Sequence, residues 1–323
     1  MSLARALLGR GIGIIAPLWL IIAAAPLHSR DLEVIFIQGA AGEDEYAGIF
    51  QKQADAWREA VAKAGAAFTL IGQTSGGKDA DLAEVESALK KAAQPAAGQL
   101  WLVLCGHGTH DGREAKFNLR GPDLTPALLA QWLAPLKRKL VLIHTGSASG
   151  AFLKPLAGPR RTIVTATKGG DEVFYARFGE HFAPAIAGLP EADLDQDRQV
   201  SVLEAFLHAC KNVAEFYQNE DRLATEHALI EDNGDGTGTR SEVFEGTRPK
   251  SAPEGARPDG ARAAQLVLVL SDEEARLTDA QRAARDTLEQ QLEAHKDKRP
   301  TLSDDAYFTE LEKLLRALAE VYH

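Results

Sequence analysis

The sequence predicts an α/β protein, with a mostly parallel central sheet between two layers of helices and a helical C-terminal tail. Three observations carry this. Short, predominantly apolar runs recur at 32–37, 100–104, 140–143 and 163–166. Amphipathic helical stretches separate the first of them. Strands buried on both faces read as continuous apolar runs, and helical crossovers between them make the sheet parallel. The most unusual loops of the chain follow directly on two of the runs, at the strand ends where such sheets hold their ligands.

Each element has its own signal. Leu32 to Ile37 is a first strand ending at Gln38-Gly39. A helix from about Ala47 to Ala64 carries Phe50, Ala54, Trp57 and Val61 on one stripe, and Gly65 closes it. Phe68 to Ile71 is a second strand. Asp79 or Asp81 caps a helix running to about Ala93, stopped by Pro95. Leu100 to Leu104 is a strand leading into Cys105-Gly106-His107-Gly108. Leu124 to Leu136 is a helix capped by Asp123 or Thr125. Leu140 to Ile143 and Ile163 to Ala166 are the next strands. Gly246 to Arg262, rich in Gly, Pro and charge, reads as a linker or loop. Gln265 to Leu270 is a candidate late strand. Two charged helices follow from Thr278 to Tyr322, joined at Arg299-Pro300, the second with an apolar stripe of Leu311, Leu314, Leu315, Leu318 and Val321. The expected organisation is therefore 1–30, 31–245, 246–264 and 265–323.

Composition narrows the function classes. With 45% hydrophobic and 25% charged residues over 323 positions, the chain has the makeup of a globular protein with a sizeable core. Its 36 basic and 46 acidic residues, net −10, without a long basic run, argue against a nucleic-acid or anionic-lipid partner. Two cysteines, Cys105 and Cys210, are too few for a zinc ribbon or a disulfide framework. Arg5 and Arg10, an uncharged run from Gly11 to Ala25, and the small residues Ala23-Ala24-Ala25 have the pattern of a cleaved export signal. The expected location is periplasmic or extracellular. Contact with a membrane is expected only if the segment stays uncleaved as an anchor; a buried N-terminal helix is the third reading.

Two loops carry the chemistry. CGHGTHDG ends one strand and HTGSASGAF the next apolar one. A histidine between glycines is open to a ligand, and neutral imidazole is the usual general base. A small-residue turn after a parallel strand presents a nucleophile and main-chain N–H groups to an oxyanion. Either motif alone is more often a plain turn.

Taken in order, strand–His-Gly, helix, strand–Ser147-Ala148-Ser149-Gly150 resembles the caspase–legumain group of cysteine peptidases, and over about 33–179 the legumain branch of bacterial type. GIFQKQADAW resembles the legumain helix containing QADA, and TATKGGDEVFYA the strand and loop beside the specificity pocket. The resemblance implies a caspase-haemoglobinase-like three-layer fold. It makes His107 the catalytic histidine and Gly108 an oxyanion donor, with Ser147 where the family has its nucleophilic cysteine. Gln51, Lys52 and Ala148 stand where legumains carry their selectivity groups, and Thr165 and Thr167 lie on the implied pocket wall. A serine without a strongly activating base is a poorer nucleophile than a thiolate. The expectation is therefore a degenerate peptidase that binds a peptide or protein partner. The alternatives are an active hydrolase with a His107–Ser147 dyad and a scaffold acting through the C-terminal helices. Cys105, two residues before His107, is expected to pack as a small hydrophobe.

A separate pattern runs from Asp193 through Asp195, Asp197, Gln199 and Ser201 to Glu204, with oxygen ligands at EF-hand positions 1, 3, 5, 7, 9 and 12 and Arg198 in place of the turn glycine. It predicts one structural Ca²⁺, an acidic helix cap being the alternative. Asp232-Asn233-Gly234-Asp235-Gly236 lacks that spacing and is expected to be a tight turn.

Overall fold

The computed structural model describes residues 31–73, 80–94, 98–250 and 258–322; the expected export signal, Asp79 and part of the expected linker lie outside them. Six strands form one sheet. β1 (Leu32–Gln38), β2 (Ala67–Ile71), β3 (Gln99–Cys105), β6 (Lys139–His144) and β7 (Arg161–Thr165) are mutually parallel, and β8 (Leu229–Glu231) runs antiparallel on the edge. Their order is β2-β1-β3-β6-β7-β8. A short hairpin of β4 (Gly108–His110) and β5 (Ala115–Phe117) follows β3 directly.

Alternation along the strands feeds two cores. Val34, Phe36, Trp101, Val103, Val141 and Ile143 face α1 (Asp44–Lys63), α5 (Phe178–Ile186) and α6 (Val202–Asn219). Ile35, Ile37, Leu100, Leu102, Leu140 and Leu142 face α2 (Ala80–Ala92), α3 (Pro126–Leu133) and α4 (Gly150–Leu156). The protein is thus the three-layer α/β structure its sequence predicts. The α1 stripe of Phe50, Ala54, Trp57 and Val61 is buried as expected.

Several local expectations are corrected. Asp81 is no cap: it sits fully buried in the first turn of α2 and pairs with Arg120 at 2.6 Å. Thr125 caps α3 by accepting from Leu128 N–H, while Asp123 accepts from Leu119 N–H at 3.2 Å. Residues 265–270 form no strand. A 3₁₀ turn covers Ala263–Gln265, and Val267 makes a single bridge to Ser201, because no second strand lies there to continue a ladder. Leu266, Val267 and Leu268 are buried all the same. Residues 258–264, expected as linker, are anchored: Asp259 and Ala263 are buried, and Asp232 accepts from the main chain of Arg262 and Ala263.

The tail forms α7 (Asp279–Lys296) and α8 (Asp304–Val321). Capping boxes or Ser/Thr caps start both. Arg285, 7% exposed, ties α7 to Glu274 and also pairs with Asp286 and Glu289 of its own helix. Removing one partner of a buried ion pair strands the other charge. Arg285→Ala is therefore expected to destabilise the tail by about 3 kcal/mol, read as faster proteolysis within 272–322 than in the sheet domain. Among the described residues no helix is long and apolar enough to cross a membrane.

Candidate functional site

β3 and β6 are hydrogen-bonded neighbours, so the loops that follow them lie side by side at one edge of the sheet. The sequence brings them closer than most side chains would allow. A Cβ on Gly108 would stand 2.0 Å from the Ser147 carbonyl oxygen, so only glycine fits after His107. The β4–β5 hairpin braces the histidine from the other side, Asn118 N–H donating to the His107 carbonyl at 3.0 Å.

The His107 imidazole is enclosed by aromatic rings. Tyr46 lies 4.5 Å away edge-on, Phe50 5.2 Å and Tyr175 5.9 Å, centroid to centroid. Burial against them lowers its pKa, opposed by its hydrogen bond to the Ala41 main chain and by the charge of Glu43. His107 is therefore neutral at pH 7, with a ring N–H committed to Ala41. Val173 and Phe174, directly before Tyr175 in the chain, are 45% and 67% exposed.

Ser147 is only 2% exposed, and among the described residues no hydrogen bond joins it to His107. Its turn is held from beneath and from outside. Beneath, Gly146 N–H donates to Nδ1 of His144 at 3.2 Å. His144 is fully buried between Phe117 and Phe152, its Nε2 has no partner, and burial drives its pKa down to about 3. Outside, Ala148 N–H donates to the Glu172 carbonyl at 2.7 Å. The Glu172 carboxylate, 8% exposed, accepts from the Lys168 and His227 main-chain N–H groups and pairs with the His227 ring.

Ala148 itself has φ +55°, the left-handed region that costs an L-residue about 1–2 kcal/mol. Strain of this kind at a turn next to a nucleophile position is a pointer to function. Glycine relieves the strain but frees the unfolded chain, so Ala148→Gly is expected to stabilise by about 0.5–1 kcal/mol in urea unfolding.

Of the expected pocket residues, Thr165, Thr167 and Ala148 are fully buried. Thr165 Oγ1 donates to the Thr167 carbonyl, and Thr167 Oγ1 accepts from Gly150 N–H, so both threonines hold the turn from within and do not line an opening. Gln51 sits in an amide network, accepting from Gln73 at 2.7 Å and donating to Asp55 at 2.9 Å. Lys52 is exposed on α1. Cys105 is buried, donates to Gln53 Oε1 at 3.2 Å, and has its pKa pushed up to about 12, so it supplies no thiolate. Both cysteines are free thiols. Sequence reasoning missed His144, Glu172 and His227. A histidine ending an otherwise apolar strand was the one readable signal for the first. The other two meet through the fold, 55 residues apart.

The 193–204 loop follows the expected ligand pattern in part. Asp193, Asp195 and Asp197 place one donor oxygen each within 4.8 Å of the others. Arg198 has φ +68°, taking the conformation the missing glycine would take. Glu204, the twelfth position, is instead engaged in a capping box with Ser201 and accepts from Leu194 and Asp195 N–H groups. Gln199 binds Asp197 with its side chain and accepts from Ser271 N–H. Three carboxylates are thus brought together, and the glutamate that would close a calcium loop is otherwise occupied.

No protein-family model and no curated protein sequence matches the chain. Solved structures do. Protein GSU0716 from Geobacter sulfurreducens is similar at 12% identity and TM-score 0.41, over 65% of this chain and 97% of that one. The Drosophila initiator caspase Dronc is similar at 10% identity and TM-score 0.39, over 64% and 80%. Caspase-1 from Spodoptera frugiperda is similar at 11% identity and TM-score 0.38, over 64% and 87%.

Proposed function

We propose that this chain is an exported caspase/legumain-like protein whose former catalytic cleft binds a peptide or protein segment without cutting it. The observation that supports this best is the state of Ser147. It is buried, and it makes no hydrogen bond to the His107 imidazole, which is packed in an aromatic cage. A base that activates serine needs to reach its hydroxyl within about 2.6–3.2 Å, directly or through one water. The exposed side chains of Val173 and Phe174 and the ring of Tyr46 then serve as contact surface for an extended segment. The first thirty residues support export, and the 193–197 carboxylates support one structural Ca²⁺.

The strained backbone of Ala148 favours the rival reading, an active His107–Ser147 hydrolase. A serine-reactive fluorophosphonate separates the two. The binding reading expects no adduct on Ser147 in the folded protein. Labelling of Ser147 that vanishes in both Ser147→Ala and His107→Ala would establish the hydrolase instead.

A further inference from the structure

We propose that Glu231–Thr237 is a second divalent-cation loop, built for Ca²⁺, at the end of the edge strand β8. The inference is independent of what the cleft binds. Glu231, Asn233, Asp235 and Thr237 place oxygen donors at every second residue. The main chain between them is folded as in the 193–199 loop. There, Asp197 N–H donates to Asp195 Oδ1 at 3.3 Å and Gln199 N–H to Asp197 Oδ1 at 3.0 Å. Here, Asp235 N–H donates to Asn233 Oδ1 at 2.8 Å and Thr237 N–H to Asp235 Oδ1 at 2.6 Å. The sixth position is left-handed in both, Arg198 at +68° and Gly236 at +78°.

The observation that calls for a ligand is Glu231 itself. It is 0% exposed. Its Oε1 accepts from Gly234 N–H at 2.5 Å, and Gly236 N–H also bonds the carboxylate, which therefore lies inside the turn. Its Oε2, on the same carboxylate, is buried and has no partner. A buried unpaired carboxylate oxygen is costly unless it takes up a proton or a cation meets it, and two further carboxylate or amide side chains of the same turn favour the cation.

Among the described residues the surroundings add negative charge, Lys154 packs its side chain against Gly236, and no ion pair of Glu231 with a cation is formed. Asp232 and Asp259, 3% and 1% exposed, act on Glu231 from behind. Their own oxygens are taken by main-chain N–H groups of Arg262, Ala263, Asp232 and Asn233 and by the Thr239 hydroxyl. The Arg262 guanidinium donates to the Arg161 carbonyl, and Arg240 pairs with Glu242. Carboxylate and amide oxygens with no nitrogen or sulfur donor select a hard cation, and an irregular, part-exposed loop suits Ca²⁺ better than octahedral Mg²⁺. Glu242, the twelfth position, is turned to Arg240, so waters complete the shell and the affinity falls in the weak class, on the order of 10⁻⁴–10⁻³ M.

The test is calcium stoichiometry by equilibrium dialysis on the full, chelator-treated chain. Asp193→Asn/Asp195→Asn disables the first loop, and Asp235→Asn, at an exposed position that leaves the core untouched, disables the second. The double variant is expected to keep one Ca²⁺ per chain, and adding Asp235→Asn is expected to weaken that binding at least tenfold. No Ca²⁺ on the double variant, or binding that Asp235→Asn leaves unchanged, would overturn the proposal. A single wild-type equivalent that Asp235→Asn removes and the double variant keeps would support this loop and sink the first.

Discussion

Lowering the pH from 7 to 4 is expected to remove about 3 kcal/mol of stability through His144 alone. The unfolded chain protonates this histidine near pH 6.5, whereas burial holds the folded group down to about 3. A depressed folded pKa means the contribution is complete above the unfolded value and is lost as pH falls from there towards the folded one. Each unit between the two is worth about 1.4 kcal/mol. The cause is geometric. Phe117 and Phe152 close on the ring at 5.3 and 4.7 Å, and Nε2 has no acceptor to share an added charge. His107, His181 and His208 are shifted down too, so the comparison must be made against a variant. His144→Asn keeps an acceptor near Gly146 N–H but does not titrate. Urea unfolding across this range should show a shallower loss in the variant than in the wild type. Equal slopes would remove His144 from the explanation.

Glu172→Ala is expected to cost about 2–3 kcal/mol. The substitution leaves the His227 ring and two part-buried main-chain N–H groups, of Lys168 and His227, without their acceptor. Unmade hydrogen bonds of buried donors forfeit their full desolvation energy. The effect reaches the cleft because the Glu172 carbonyl holds Ala148 N–H and thereby the left-handed turn behind Ser147. Faster amide exchange at Ala148 should accompany the lost stability. Glu172→Gln keeps one acceptor and the side-chain volume, and is expected to fall between the two. A stable Glu172→Ala protein with unchanged exchange would show that the turn holds itself.

The parts of this structure governed by local pattern were legible in the sequence. Four predominantly apolar runs gave four central strands, because a strand buried on both faces needs no alternation. The Phe50–Trp57–Val61 stripe gave α1 its buried face. Placing His107 and Ser147 at strand ends followed from the same reading. What escaped it depends on partners far along the chain. The 231 carboxylate lies in a turn whose hydrogen bonds decide its role, and composition alone marked that turn as ordinary. Asp81 looked like a cap because its partner, Arg120, is 39 residues away. The β4–β5 hairpin carries a readable Asp111-Gly112 turn, yet its strands are only three residues each. Thr165 and Thr167 looked like pocket wall until their hydroxyls were seen to close on the turn.

The central claim, a cleft that binds and does not cut, is tested most directly by incubating the wild-type chain and Ser147→Ala with a positional-scanning peptide library. Cleavage is followed by mass spectrometry and retention by equilibrium dialysis. The account predicts a retained subset of peptides, the same for both proteins, and no new termini. New termini that appear with the wild type and disappear in Ser147→Ala would contradict it.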